Sequence, residues 1–169
     1  PYEYYEKFKI RRYGFHGISC RYVSKCAANL LQTPLDHLRM IVCHLGNGVT
    51  VTAVNRGISV DTSMGMTPLE GLMMGTRSGD IDPGVLLFLE RELGFDHKKI
   101  DNILNKKSGL LGISGISNDV RDIIKKCKQG NKRCKLAIEI FSYRIKKYIG
   151  AYAAVLNGID ALVFTAGIG

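Results

Sequence analysis

Three short segments separated by tight turns constrain the fold of this chain more than any other feature. Arg39–Leu45 (RMIVCHL) is mostly apolar, Val49–Val54 alternates Val and Thr at period two, and Ile58–Thr62 follows. Gly46-Asn47-Gly48 and Asn55-Arg56-Gly57 separate them. Turns this short return the chain beside itself, so the segment is predicted to be an antiparallel meander.

Helical spacing dominates elsewhere. Val23, Cys26, Ala27, Leu30 and Leu31 predict a helix over Ser19–Leu31, ended by Pro34. Asp82-Pro83 supplies an N-cap and a first-turn proline for a helix to about Leu93, closed by Gly94. Further helices are expected over Asp96–Lys107, with Gly109 beyond its end, over Asn118–Gln129, and over Lys132–Asn157. The last is amphipathic, with Leu136, Ile140, Tyr148, Ile149, Tyr152 and Leu156 near one face. Ala161–Phe164 reads as a buried strand, followed by the glycine turn Thr165–Gly169. Ser63–Asp82 is rich in Gly, Thr, Ser and Met without clear periodicity, and a loop this long is usually functional. Strands first, helices after, and one more strand before a glycine turn define an α/β domain distinct from a Rossmann fold.

The 169 residues fit one domain. The net charge of +9 raises nucleic acid as a partner. Its densest patch, Lys125–Lys135, falls on predicted helix surface without an aromatic-rich binding motif, so a solvated face is the reading adopted. The excess positive charge suits anionic ligands. No apolar run approaches the roughly 18 residues of a membrane span, and Pro1–Arg12 lacks the pattern of a signal peptide. Five cysteines without a CxxC pair argue against a disulfide framework or a zinc site, and the cytoplasm is the expected location. A start at Pro1 without Met, and an end straight after an apolar run, suggest a segment of a longer protein.

Several segments carry potential chemistry. His44-Leu45-Gly46-Asn47-Gly48 is either a hairpin turn or a loop whose backbone N–H groups approach a phosphate, with His44 and Asn47 as added donors. Arg77 lies among small residues in Met74–Pro83, free to reach an anion or paired with Asp80 or Asp82. His16, between Gly14-Phe15 and Gly17, is a donor to a transferred group or a structural histidine. Asp119 and Arg121 sit at a helix start, where Asp is a natural cap. Gly167-Ile168-Gly169 is too short for a dinucleotide fingerprint, and there is no Walker A motif.

Taken together, RRYGFHG (Arg11–Gly17), HLGNG (His44–Gly48), DTSMGMTPLEG (Asp61–Gly71), MGTRSGDIDP (Met74–Pro83), GISGISNDVRD (Gly112–Asp122) and FTAGIG (Phe164–Gly169) resemble the acetate kinases. The resemblance runs through essentially the whole chain in order, and related propionate kinases share much of it. It implies a ribonuclease-H-like lobe of the actin, Hsp70 and sugar-kinase superfamily: a mixed sheet with an antiparallel meander and flanking helices. Residues 1–169 would form a single nucleotide-binding lobe. The family's other lobe, with its NxGSSSxK motif, and the tail after TAGIG would lie outside the chain.

By the same resemblance His44, Leu45, Gly46, Asn47 and Gly48 form a phosphate loop. Asp119, Val120 and Arg121 join the nucleotide site, Gly167, Ile168 and Gly169 meet the adenosine, and His16 and Arg77 stabilise the transition state. ATP or ADP with Mg²⁺ and acetate or acetyl phosphate are the implied ligands, without a metal ligand assigned on this chain, and a homodimer is implied. A non-catalytic actin- or Hsp70-like nucleotide module is the alternative class. Two departures stand out: Cys20 replaces the second histidine of the usual HGTSH, and Val49 stands where a small residue is usual.

Overall fold

The computed structural model describes every residue, Pro1–Gly169. The expected meander forms as β1 (Arg39–Leu45), β2 (Val49–Asn55) and β3 (Ile58–Thr62). A fourth strand, β4 (Ala161–Thr165), completes a mixed sheet of order β3-β2-β1-β4, antiparallel within the meander and parallel between β1 and β4. Arg39 fixes the start of that parallel pair. Its backbone N–H and guanidinium both donate to the Asp160 carboxylate, and Nη1 reaches the Asn157 carbonyl. The Arg39 guanidinium, then its backbone N–H, hold the Asp160 carboxyl down at about 2.

The helices are α1 (Tyr2–Phe8), α2 (Gly17–Leu30), α3 (Gly84–Leu93), α4 (His97–Lys106), α5 (Gly109–Ser114), α6 (Val120–Lys128) and α7 (Lys132–Val155). None is long and apolar enough to cross a membrane. Their boundaries carry the expected caps. Asp96 and Asn131 accept from backbone N–H groups one turn on, and Gly94 ends α3 in the left-handed region at φ 61.

Side-chain alternation sends β1 into two cores. Ile41, Cys43 and Leu45 join Val49, Val51 and Ala53 under α5, α6 and α7, while Met40 and Val42 join Val54 under α2. A strand buried on both faces reads as a continuous apolar run, which is why RMIVCHL shows no alternation. In β2 the period-two pattern puts Thr50 and Thr52 on the α2 side, where polar partners await them.

Three expectations need correction. β4 is an edge strand: Ala161 and Val163 pack on the second core, but Leu162 and Phe164 are 38% and 51% exposed on the opposite face. The packing face of α7 is Cys134, Ala137, Phe141, Tyr152 and Leu156, leaving Leu136 outside it at 48% exposed. The helices α1 and α5 have no counterpart in the sequence reading. α1 buries nothing, and the two glycines of α5 mask its helical pattern. The α7 correction predicts that Phe141→Ala destabilises by about 3–5 kcal/mol. Leu136→Ala should stay within about 0.5–1 kcal/mol, both read from denaturant midpoints.

Candidate functional site

The parallel pairing of β1 and β4 brings two chain reversals to the same edge of the sheet. After Leu45 the chain turns through Gly46–Gly48; after Thr165 it turns through Ala166–Gly169, and the Ile168 N–H donates to the Leu45 carbonyl at 2.9 Å. α6 points its first turn at the same place. Its cap Asp119 accepts from Arg121 N, and neighbouring Asn118 donates Nδ2 to Asn47 Oδ1 at 3.0 Å. The result is a cleft of about 620 Å³ lined by Gly46, Asn47, Asn118, Asp119, Val120, Arg121, Gly167 and Ile168. Position and size suit a small ligand, beyond the carboxyl ends of strands. Gly169 lies outside the lining, and Leu45 gives only its carbonyl, because its side chain is in the core.

A larger hollow of about 720 Å³ lies between α2 and the β2–β3 hairpin, beside Phe15, Arg21 and Arg56. It contains none of the residues expected to hold a nucleotide, and the smaller cleft gathers eight residues from three separate turns. Convergence of chemistry, rather than volume, makes the smaller cleft the candidate site.

Next to the cleft stand His44, His16 and Arg77. His16 caps α2 with φ 61, a strained value outside glycine. Its ring stacks on His44 with centroids 4.1 Å apart and planes 12° from parallel. Thr50 Oγ1 lies 2.8 Å from His16 Nδ1, and Ser19 Oγ lies 2.9 Å from His44 Nδ1. A Cβ at Gly48 would sit 3.4 Å from His16 Cε1 and 3.6 Å from Arg77 Nη1, so the two side chains flank the last residue of the turn.

The loop carrying Arg77 is held by its backbone. Met74 N bonds Arg77 O, Gly75 N bonds Asn47 O, and Leu110 and Leu111 donate to Met74 and Gly75. A Cβ at Gly75 would fall 2.1 Å from Asn47 Oδ1, so a larger residue there would displace the Asn47 side chain. Asp80 is engaged by Gly71 N and the Tyr148 hydroxyl, and Asp82 by Gly84 N. Neither carboxylate pairs with Arg77, whose guanidinium donates within the chain only to Met74 Sδ, at 4.0 Å. The sequence left that pairing open; the geometry leaves the guanidinium free.

Sequence reasoning singled out neither Asn118, Thr50 nor Ser19 as site residues. Asn118 was adjacent to a chosen motif, whereas Thr50 carried no signal beyond strand alternation. Cys20 turns away from the site into the second core, where its thiol meets Thr52 Oγ1 at 3.6 Å.

Both histidines are pushed toward the neutral form. Desolvation dominates for each, and the nearby charges of His44 and Arg77 add to it at His16. Asp119 is instead held ionised, its carboxyl drawn down to about 2 by the Arg121 side chain and then its backbone N–H. A histidine with a depressed folded value binds fewer protons than the unfolded chain. Its contribution is therefore complete above the unfolded value near 6.5 and is lost as pH falls through the folded one. His16 should titrate below 6.5 by NMR, and Arg77→Met should move its midpoint upward.

Comparison with known proteins accords with this geometry. A profile of the Acetokinase family matches residues 1–169. The chain is 63% identical to the acetate kinase of Halothermothrix orenii over 169 residues, all of this chain and 42% of that protein. The crystal structure of Porphyromonas gingivalis acetate kinase superposes with TM-score 0.97 at 53% identity, covering 99% of this chain and 42% of that one. A propionate kinase from Francisella tularensis superposes with TM-score 0.95 at 51% identity, covering 100% of this chain and 43% of that one. The chain thus spans about two fifths of the length of the relatives it matches. With the family profile covering it from end to end, and the mixed sheet superposing on solved members, the chain belongs to the acetokinase family.

Proposed function

We propose that this lobe serves a phosphotransferase that moves the γ-phosphoryl of ATP to acetate, reversibly, giving acetyl phosphate and ADP. The observation that carries the reading is the placement of His16 and Arg77 together beside Gly48, next to a cleft built from HLGNG, SNDVR and TAGIG. Residues 1–169 are read as a single nucleotide-binding lobe whose catalytic partner groups come from the rest of the protein.

In this reading the turn Gly46–Gly48 receives the terminal phosphates. A ligand oxygen can approach its backbone because no side chain occupies positions 46 and 48. Asn47, braced by Asn118, holds the phosphates in line, with His44 beside it. Asp119, Val120 and Arg121 with Gly167, Ile168 and Gly169 hold the rest of the nucleotide. His16 and Arg77 contact the phosphoryl in flight. In-line transfer asks little covalent chemistry of the protein; alignment and positive charge on the equatorial oxygens lower the barrier. Arg77 provides that charge without an internal carboxylate to neutralise it.

Mg²⁺ belongs to the proposal as the companion of the nucleotide phosphates. No group of three or more His, Cys, Asp or Glu side chains on this chain forms a metal cage. What this lobe itself brings to the transfer is the Arg77 charge, the imidazole donors and the bare backbone of the turn. A homodimer is part of the same reading, with Leu136 and Tyr143 exposed on the outer side of α7. So is a cytoplasmic location, supported by five unpaired cysteines. No nucleic-acid or membrane partner is included. Propionate is the second acceptor, because solved relatives of nearly equal likeness include both enzymes.

The test is a hydroxylamine trap for acyl phosphate on the full-length protein, with acetate and propionate compared. Arg77→Ala should reduce kcat by about 10²–10³ with nucleotide affinity largely retained. Near-normal turnover would remove Arg77 from its role. Nucleotide binding without any acyl phosphate would favour the non-catalytic module instead.

A further inference from the structure

The hydrogen bonds around His16 decide which of its ring nitrogens carries the proton. Thr50 Oγ1 lies 2.8 Å from His16 Nδ1, and no other partner reaches that hydroxyl. Thr50 has no exposed surface at all, so water cannot serve it either. A threonine hydroxyl has one hydrogen to donate. If Nδ1 carried the imidazole proton, it would donate to Oγ1 and strand the Thr50 hydrogen as a buried donor without an acceptor. Leaving such a group unpaired weakens the folded state. With Nδ1 unprotonated, the hydroxyl donates to it and the conflict disappears.

We propose that Thr50 is a positioning residue that locks neutral His16 as the Nε2–H tautomer, so that the imidazole presents a hydrogen-bond donor on its free edge without needing a charge. Nε2 has no hydrogen-bond partner within the chain, and the adjoining Cε1 lies beside Gly48, next to Arg77. The inference builds on the phosphoryl-transfer reading, in which a donor at this point meets an equatorial oxygen.

The arrangement fits the other pressures on the ring. Burial first, and then the nearby charges of His44 and Arg77, disfavour a cationic His16, so a cation would be an unreliable way to obtain the donor. A neutral tautomer fixed from behind keeps the donor as pH changes. His44 is not equivalent: its Nδ1 partner Ser19 is half-buried, so its hydroxyl is not sealed from water as that of Thr50 is.

Two measurements on the full-length protein test this. Nitrogen–proton correlation spectra of the imidazoles, with the His16 signal assigned by its loss in His16→Gln, should show the Nε2–H tautomer above its titration midpoint. The Nδ1–H form in the wild type would overturn the proposal, and this readout needs no Thr50 variant to fold. Thr50→Val should lower kcat by about tenfold with nucleotide KM changed less than about twofold, and Thr50→Ser should restore kcat. Unaltered turnover in Thr50→Val, or a Thr50→Ser variant equally impaired, would reduce Thr50 to a packing residue. Absence of acyl phosphate formation in the wild type would sink the functional reading alone, because the tautomer is read independently by spectroscopy.

Discussion

Backbone groups in Ser63–Asp82 must find hydrogen-bond partners without a helix or strand of their own, and the rest of the site depends on how they do so. Ser63, Met64, Leu72, Met73 and Met74 are buried, so water cannot satisfy the segment and each orphaned group would be costly. The solution is to borrow partners on every side: Val51 O for Ser63 N, Asn47 O for Gly75 N, Leu104 O for Ser78 N and Gly71 O for Asp80 N. The start of α5 donates back to Met74 and Gly75. A loop tied to a hairpin turn on one side and to helices on the other holds Arg77 at a fixed place relative to Gly48. Tyr148 and Arg144 of α7 reinforce it through Asp80.

Electrostatics at the site follow from which charges are compensated. Asp119 and Arg121 neutralise each other at the mouth of the cleft, largely in solvent, where such pairs contribute little to stability. Their value is geometric: the carboxylate also caps α6 and sets where its first turn points. Arg77 has no such partner. One cation is tied up in shaping the wall and the other is left for an anion.

Much of this was legible from residues alone, and the failures have local physical causes. Alternation with tight turns identified the meander because one face pattern and two short connections admit little else. The edge position of β4 was not legible because an apolar run of four residues looks the same at an edge as in the middle of a sheet. Leu136 outweighed Cys134 and Ala137 in the reading of α7, although small residues form the contact there. His16, Arg77 and HLGNG were each undecided from local sequence; family resemblance supplied their expected roles, and the structure brings them together. Thr50 could not be found this way, because its partner lies 34 residues away.

Two kinds of glycine stand out in this chain. A methyl at Gly79 or Gly109 would run into a backbone oxygen at 2.4 or 2.2 Å, whereas at Gly17 and Gly167 it would meet nothing within 4 Å, and at Gly46 only ordinary contacts. The first kind is demanded by the chain's own architecture; the second is not. A library screened only for soluble, folded protein would accept alanine at 17, 46 and 167 and discard it at 79 and 109. Selection for the proposed nucleotide binding would have to be imposed separately to test whether the tolerated positions are bare for a ligand's sake.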